Sequence, residues 1–192
     1  SFDIFFKTRS FGKTKFVKFA STGIEHQDKV RQLLETGEAT DDFFIQDDDL
    51  FKYYEHATKT LRTLIGSEHV PIEVKTKKVY EVSKNIMSEF FEQNASPKIL
   101  TASDEVVEIM EECFSDADVS FYNISQLTSK DYYTYTHSVN VGLYCMTYGI
   151  KINLPKEEKR QLGLGGMLHD VGKSKMRRAL INKEGLLTED EF

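Results

Sequence analysis

The residues with the clearest potential for chemistry lie together in the stretch Gly165-Gly166-Met167-Leu168-His169-Asp170-Val171-Gly172-Lys173. Its imidazole, carboxylate and amine fall within five residues of one another, at the end of an apolar segment that is typical of a helix. Because residues three and four apart share a helix face, we expect Lys173 on the same side as His169 and Asp170. Two types of metal ligand would then lie beside a cation that can hold an anion.

A partner for this stretch lies upstream, at His137. The sequence predicts a helix from Tyr132 to Tyr148, on which four residues form one stripe at i, i+4 spacing: Tyr133, His137, Val141 and Cys145. A lone histidine on such a stripe is more often a hydrogen-bonded core residue than a ligand. The following helix is what favours a functional role for His137.

That second helix is predicted to begin at Pro155 and to run through Val171. It contains three closely spaced glycines, Gly163, Gly165 and Gly166, each of which costs about 1 kcal/mol relative to alanine inside a helix. Their number indicates a close approach by another helix or a ligand, or a bend. The short link between the two helices predicts antiparallel packing, which would let His137 face His169 and Asp170.

The chemistry expected of such a cluster is hydrolytic. Neutral imidazole and carboxylate together suit Fe, Mn, Zn or similar divalent ions. Such an ion lowers the pKa of a coordinated water toward neutrality and so provides a hydroxide nucleophile. Lys173 could bind a phosphoryl oxygen as a compact positive charge. A His-Asp dipeptide alone is weak evidence, and the combination with an upstream histidine and a following lysine is more specific.

The elements before this region predict an α+β fold. Phe2–Phe6 and Lys15–Phe19 are typical of two short strands, and Phe43-Phe44-Ile45 of a third. Helices are predicted over Glu25–Thr36 and from Leu50 to about Ile65, the second preceded by aspartates suited to capping it.

After Pro71 the pattern is helical, with one amphipathic helix from about Val74 to Phe90 and another from Ile99 to Phe114. We therefore predict a small N-terminal α/β domain over residues 1–66, a helical connector over 67–130, and a helical bundle over 131–192.

Composition narrows the class of protein. The 192 residues include 40% hydrophobic and 29% charged side chains, which is ordinary for a globular chain. No apolar run approaches the roughly 20 residues that a membrane-spanning helix needs. The two cysteines, Cys113 and Cys145, lack a C-x-x-C spacing, which favours a reducing, cytoplasmic location over a disulfide framework. A net charge of −6 argues against long nucleic acids as partners but not against a small phosphorylated ligand.

Three segments together resemble the first half of an HD-GYP domain: His137-Ser138-Val139-Asn140-Val141, Leu168-His169-Asp170-Val171-Gly172-Lys173, and the run from Asn182 to Phe192. That family belongs to the HD superfamily of metal-dependent phosphohydrolases. It is bacterial and all-helical, and it hydrolyses cyclic di-GMP to pGpG or GMP at a two- or three-metal centre, often of iron. The resemblance covers about residues 131–192 and implies an HD-type bundle.

The same resemblance implies roles for individual residues. His137, His169 and Asp170 would be metal ligands, with Asp170 and Lys173 catalytic and Lys173 on the scissile phosphate. Tyr133 stands where trinuclear members have a glutamate ligand, which favours a binuclear iron or manganese centre. The remaining ligands of the family would lie beyond residue 192.

The loop after Lys173 also departs from the family. It reads Ser174-Lys175-Met176-Arg177 where the family usually has Ile-Gly-Ile-Pro. Arg177 is therefore a candidate substrate-binding residue, although a solvated run of charge explains the basic loop equally well.

Three hypotheses about function follow. The leading one is a cyclic di-GMP phosphodiesterase, with the N-terminal domain regulating it or binding a partner. The second is a degenerate module that binds cyclic di-GMP or a diguanylate cyclase as a scaffold. The third is another nucleotide phosphohydrolase of the HD superfamily. A homodimer is compatible with each of them.

Overall fold

The computed structural model describes residues 2–10, 13–21, 43–92, 96–115 and 134–191, in two compact units, Ser1–His56 and Ala57–Phe192. The strands are β1 (Asp3–Ser10), β2 (Lys13–Ser21) and β3 (Phe43–Phe44). The α-helices are α1 (Leu50–Ile65), α2 (Ile72–Glu92), α3 (Pro97–Phe114), α4 (Thr134–Lys151), α5 (Lys156–Leu168) and α6 (Arg178–Ile181). Short 3₁₀ helices cover Asp47–Asp49 and Val171–Lys175. The predicted α+β class is confirmed.

The first unit contains a three-stranded antiparallel sheet in the order β2-β1-β3. β1 and β2 form a hairpin whose register shifts between Ile4 and Phe5, and Phe5 pairs with Phe44 of β3. Aromatic and β-branched residues favour strands because they pack well on a pleated surface. All three predicted strands are thus present, and the helix predicted over Glu25–Thr36 lies outside the described residues. The unit boundary falls inside α1, and the three domain limits drawn from the sequence remain predictions.

The second unit is built from helices that share an apolar core. α2 packs on α3 and α4, and α5 packs on α3 and α4. The side chains that are fully buried between them are apolar and come from all four helices, among them Val79, Ile86, Met87, Phe90, Val106, Ile109, Met110, Val139, Leu143, Met146 and Met167. Along the described residues no helix is both long enough and apolar enough to cross a membrane. Cys113 and Cys145 are free thiols, as the sequence predicted.

Local signals set where these helices begin and end. The Ser96 side chain accepts a hydrogen bond from the backbone N–H of Ile99, and Pro97 follows in the first turn, so α3 begins with a conventional cap. Two residues after the end of α4, Asn153 lies in the left-handed region at φ 56°, a conformation that asparagine tolerates better than most residues. There the backbone N–H of Leu154 donates to the carbonyl oxygen of Gly149 at 2.9 Å. This compact ending turns the chain directly into α5.

The end of α5 differs from the prediction. The sequence predicted a helix running through Val171, but α5 ends at Leu168, and His169 caps it with helical dihedral angles. Asp170 leaves the helical region, at φ −101° and ψ 9°, and the chain continues as the 3₁₀ helix Val171–Lys175. Consequently His169, Asp170 and Lys173 do not share one α-helical face. They surround the junction between a helix end and a 3₁₀ turn.

Candidate metal centre

The candidate site depends on the close approach of α4 and α5. A Cβ atom placed on Gly166 would lie 2.8 Å from the Cα of Gly142 and 3.1 Å from the carbonyl oxygen of Val141. A Cβ on Gly142 would in turn lie 2.8 Å from the carbonyl oxygen of Gly163. Glycine at these positions lets the two backbones come nearer than any side chain would allow.

Two of the three glycines that the sequence singled out therefore contribute to this contact. Gly163 and Gly166 face α4, whereas a Cβ on Gly165 would meet nothing within 4 Å. Sequence reasoning missed Gly142, although a glycine in the middle of an otherwise apolar helix carries the same signal. The close approach of α4 accounts for the two inward-facing glycines.

The approach of the two helices brings His137 of α4 to His169 and Asp170 at the end of α5. The imidazole rings of His137 and His169 are 5.2 Å apart, with their planes at 68°. The Oδ2 atom of Asp170 lies 3.3 Å from Nε2 of His169 and 3.8 Å from Nε2 of His137. One candidate ligand atom from each residue lies within 4.8 Å of the other two. His137 is an exposed member of this cluster and not the core residue that its stripe usually indicates.

The orientation of His169 is fixed through its other ring nitrogen. Nδ1 lies 2.7 Å from the carbonyl oxygen of Gly166, which can only accept a hydrogen bond. Nδ1 therefore carries the proton and donates it, and the lone pair of the neutral ring is on Nε2. Nε2 is the atom that faces Asp170. A histidine held this way is typical of metal ligands, whose second nitrogen donates to a backbone carbonyl or carboxylate.

Lys173 pairs with Asp170 across the 3₁₀ turn. Its Nζ lies 2.6 Å from Oδ2 of Asp170. A 3₁₀ helix has three residues per turn, so residues three apart lie over one another. Asp170 and Lys173 therefore pair as predicted, although the turn between them is a 3₁₀ helix and not an α-helix. Partial burial acts to raise the pKa of Asp170, but the hydrogen bond and the ammonium charge of Lys173, together with the neighbouring imidazoles, outweigh it, and the pKa lies below its usual value. Asp170 is therefore ionised at neutral pH, as a metal ligand must be.

The cluster fits a divalent cation in its donor set. Two imidazoles and one carboxylate offer nitrogen and oxygen atoms that suit Fe, Mn or Zn. His169 presents an oriented lone pair, and the Asp170 carboxylate is only 17% exposed while the His137 side chain is 55% exposed. The site is thus open on the side of His137 and closed behind Asp170, which leaves room for further ligands or a substrate.

Arg177 is not part of this constellation. It is exposed, and its backbone carbonyl accepts from Leu180 at the start of α6. Within the described residues, no hydrogen bond or ion pair joins its side chain to His137, His169 or Asp170. The structure brings together four of the five predicted site residues, namely His137, His169, Asp170 and Lys173.

Comparison with known proteins bears on the kind of domain that carries this cluster. The sequence of residues 134–191 matches the HD domain family. The match covers the segments that carry His137, His169 and Asp170, and it agrees with the resemblance found in the sequence.

Relatives narrow the kind of HD domain. A Pseudomonas aeruginosa protein named cyclic di-GMP phosphodiesterase is 36% identical over 91 residues, which is 47% of this chain and 22% of that protein. A Vibrio cholerae protein named 3'3'-cGAMP-specific phosphodiesterase 1 is 26% identical over 135 residues, which is 70% of this chain and 28% of that protein. The chain thus spans about a quarter of the length of these relatives. The resemblance to the HD-GYP proteins is confirmed.

A solved structure supports the fold over almost the whole chain. An HDG"Y"P protein from Bdellovibrio bacteriovorus superposes with a TM-score of 0.56 and 15% identity, covering 99% of this chain and 61% of that one. At this identity the likeness concerns the fold alone.

Proposed function

We propose that this protein is a metal-dependent phosphodiesterase whose substrate is cyclic di-GMP. The observation that carries the proposal is the cluster of His137, His169 and Asp170, whose ligand atoms lie within 4.8 Å of one another beside the ammonium of Lys173. Similarity to a protein named cyclic di-GMP phosphodiesterase supports the substrate.

The proposed roles follow from the chemistry of each side chain. His137, His169 and Asp170 hold the cation, with His169 kept in the required tautomer by the carbonyl of Gly166. When bound, a divalent ion supplies Lewis acidity and a nucleophile at neutral pH. Lys173 binds a non-bridging phosphoryl oxygen and offsets the negative charge that develops on phosphorus. The ammonium is already directed to the site by its bond to Asp170.

A binuclear iron or manganese centre is the form of the site that we propose. Three side chains supply too few donor atoms for two ions, since each ion takes four to six ligands. We infer that ligands other than these three side chains complete the coordination. Metal content measured on protein purified without oxygen tests this, with close to two equivalents expected.

The activity is tested with cyclic di-GMP and protein loaded with Mn²⁺ or Fe²⁺. We expect pGpG or GMP to accumulate with the wild-type protein and to be absent with His169→Ala, because the cation loses an oriented ligand. His69→Ala is the matched control, since His69 is exposed and separate from the cluster. Equal turnover by His169→Ala and wild type would refute the proposal.

Binding without turnover is the second candidate, and the exposed basic loop favours it. Lys175 and Arg177 follow Lys173 closely and are both exposed, so the loop can meet a phosphate whether or not hydrolysis occurs. Calorimetry with cyclic di-GMP and with 3'3'-cGAMP separates the cases. Micromolar affinity without product, lowered about tenfold by Arg177→Ala, would favour the binding module over the enzyme. In both cases the proposed role of the N-terminal unit is regulation or partner binding. The proposed partners are a diguanylate cyclase and a second copy of the chain.

A further inference from the structure

Helix α2 carries no residue of the metal cluster, yet it contacts both parts of the framework that holds the cluster. It packs against α4, which carries His137, and against the 3₁₀ helix Val171–Lys175, which carries Lys173. Any change in how α2 lies on α4 therefore alters the distance between groups that must meet at the cation. This makes the α2–α4 contact a place where the geometry of the site is set.

A directional bond lies within that contact. Tyr80 of α2 is buried, with 5% of its surface exposed, and its hydroxyl donates to Oδ1 of Asn140 at 2.7 Å. Asn140 is three residues after His137, so the two side chains leave neighbouring turns of α4 on the same side. Within a turn of the two residues along their helices lie the buried apolar Val79, Val139 and Leu143, together with the buried polar Ser83 and Thr136.

Apolar packing and a hydrogen bond constrain a helix differently. Contacts among Val, Leu and Met side chains are non-directional, so they tolerate a small rotation or slide of α4. A hydrogen bond weakens steeply when its distance or angle changes, and a buried donor without a partner is costly. The Tyr80–Asn140 bond therefore adds a directional restraint on the rotation of α4 about its own axis.

We propose that Tyr80 is a positioning residue for the metal centre. Through its hydrogen bond to Asn140, Tyr80 restrains the turn of α4 that carries His137. This keeps Nε2 of His137 close to Oδ2 of Asp170. An effect of Tyr80 on catalysis rests on the proposed function, whereas its positioning of His137 does not. Removing a group that is hydrogen-bonded directly to a metal ligand changes metal affinity by roughly 10- to 100-fold, and since Tyr80 acts one residue further away we expect the lower end of that range.

The test is Tyr80→Phe, which keeps the ring and removes only the hydroxyl. We expect its affinity for Mn²⁺, measured by calorimetry, to fall about tenfold. The matched control is Thr58→Val. Thr58 is only 2% exposed, and its hydroxyl donates to a carboxylate oxygen of Glu105 in α3 at 2.8 Å, so the substitution removes a comparable hydrogen bond. Thr58→Val should lower Tm by about as much as Tyr80→Phe does, and it should keep the Mn²⁺ affinity of the wild-type protein.

A double-mutant cycle shows whether Tyr80 acts through Asn140. Asn140→Ala should weaken Mn²⁺ binding to a similar degree, and the double variant Tyr80→Phe/Asn140→Ala should be no weaker than the weaker single variant. Additive losses would overturn the proposal, because they would mean that the two residues act independently.

Nitrogen NMR of the histidine side chains in metal-free protein reports the surroundings of His137 independently of Mn²⁺ binding. The signals of His137 should shift in Tyr80→Phe and stay in place in Thr58→Val. Unshifted His137 signals together with unchanged Mn²⁺ affinity in Tyr80→Phe would overturn the inference, and so would equal losses of affinity in both variants. By contrast, shifted signals in a protein that takes up Mn²⁺ but never turns over cyclic di-GMP would refute only the proposed enzyme.

Discussion

The contact between α4 and α5 predicts opposite effects for two neighbouring glycine substitutions. In Gly166→Ala the new methyl group would meet the backbone of α4 at 2.8 Å from Cα and 3.0 Å from N of Gly142. Carbon atoms pack favourably at about 3.5–4.0 Å, so the helices must separate by roughly 0.7 Å to accept it. Backbone atoms cannot rotate away as a side chain could. The strain is therefore carried into the relative position of the two helices.

Gly165→Ala is the matched control, because its methyl group would meet nothing within 4 Å. Both substitutions gain about 1 kcal/mol of helix propensity, so the difference between them isolates the overpacking cost of about 1–3 kcal/mol. For a chain of this length 1 kcal/mol changes Tm by about 2–4 °C. We expect Gly165→Ala to melt about 2–4 °C above wild type, and Gly166→Ala to melt roughly 2–12 °C below Gly165→Ala.

The same separation should weaken the metal site. His137 lies on α4 and Asp170 beyond α5, and their nearest ligand atoms are 3.8 Å apart. Functional groups must be held within about 0.5 Å of their working geometry, and a 1 Å displacement can cost about 100-fold in rate. Mn²⁺ affinity and turnover should therefore fall at least tenfold in Gly166→Ala and stay unchanged in Gly165→Ala. Gly166→Ala with the stability and affinity of Gly165→Ala would refute the close-approach argument.

Three further predictions concern charged groups. Lys173→Gln should lower turnover of cyclic di-GMP by about 100-fold while Mn²⁺ binding persists, since the charge that stabilises the reacting phosphate is lost while His137, His169 and Asp170 remain. Steady-state kinetics beside calorimetry decides it. Lys159→Met should lower the free energy of unfolding by about 1–3 kcal/mol in urea melts. Nζ of Lys159 lies 2.5 Å from the buried carboxylate of Glu111, which would be left without this partner. A loss no larger than that of an exposed lysine variant would contradict this. The pKa of Glu157 is lowered to about 2, first by its hydrogen bond from Arg160. Because the folded-state pKa is depressed, its contribution to stability is present above about pH 4.5 and lost as the pH falls toward 2, so the Tm difference between wild type and Glu157→Gln should shrink over that range.

Much of the local structure follows from patterns within a few residues. The strands near Phe5 and Phe44 and the start of α5 after Pro155 were predictable, because turn residues and apolar spacing act over one or two turns. The pairing of Lys173 with Asp170 was predictable too, since residues three apart meet in an α-helix and in a 3₁₀ helix alike. The end of α5 at Leu168 was not, because the apolar spacing continues past the point where the backbone changes.

The sequence by itself determined which side chains are available as ligands and phosphate-binding groups, because these are properties of residue type and local spacing. Only the tertiary structure decided that His137 meets His169 and Asp170, since that contact joins two helices and depends on how closely their backbones pack. The same holds for the glycines: Gly163 and Gly166 face α4 while Gly165 faces outward, a distinction that no count of glycines contains. The bond between Tyr80 and Asn140 spans 60 residues of sequence, and it exists only because the core places α2 against α4.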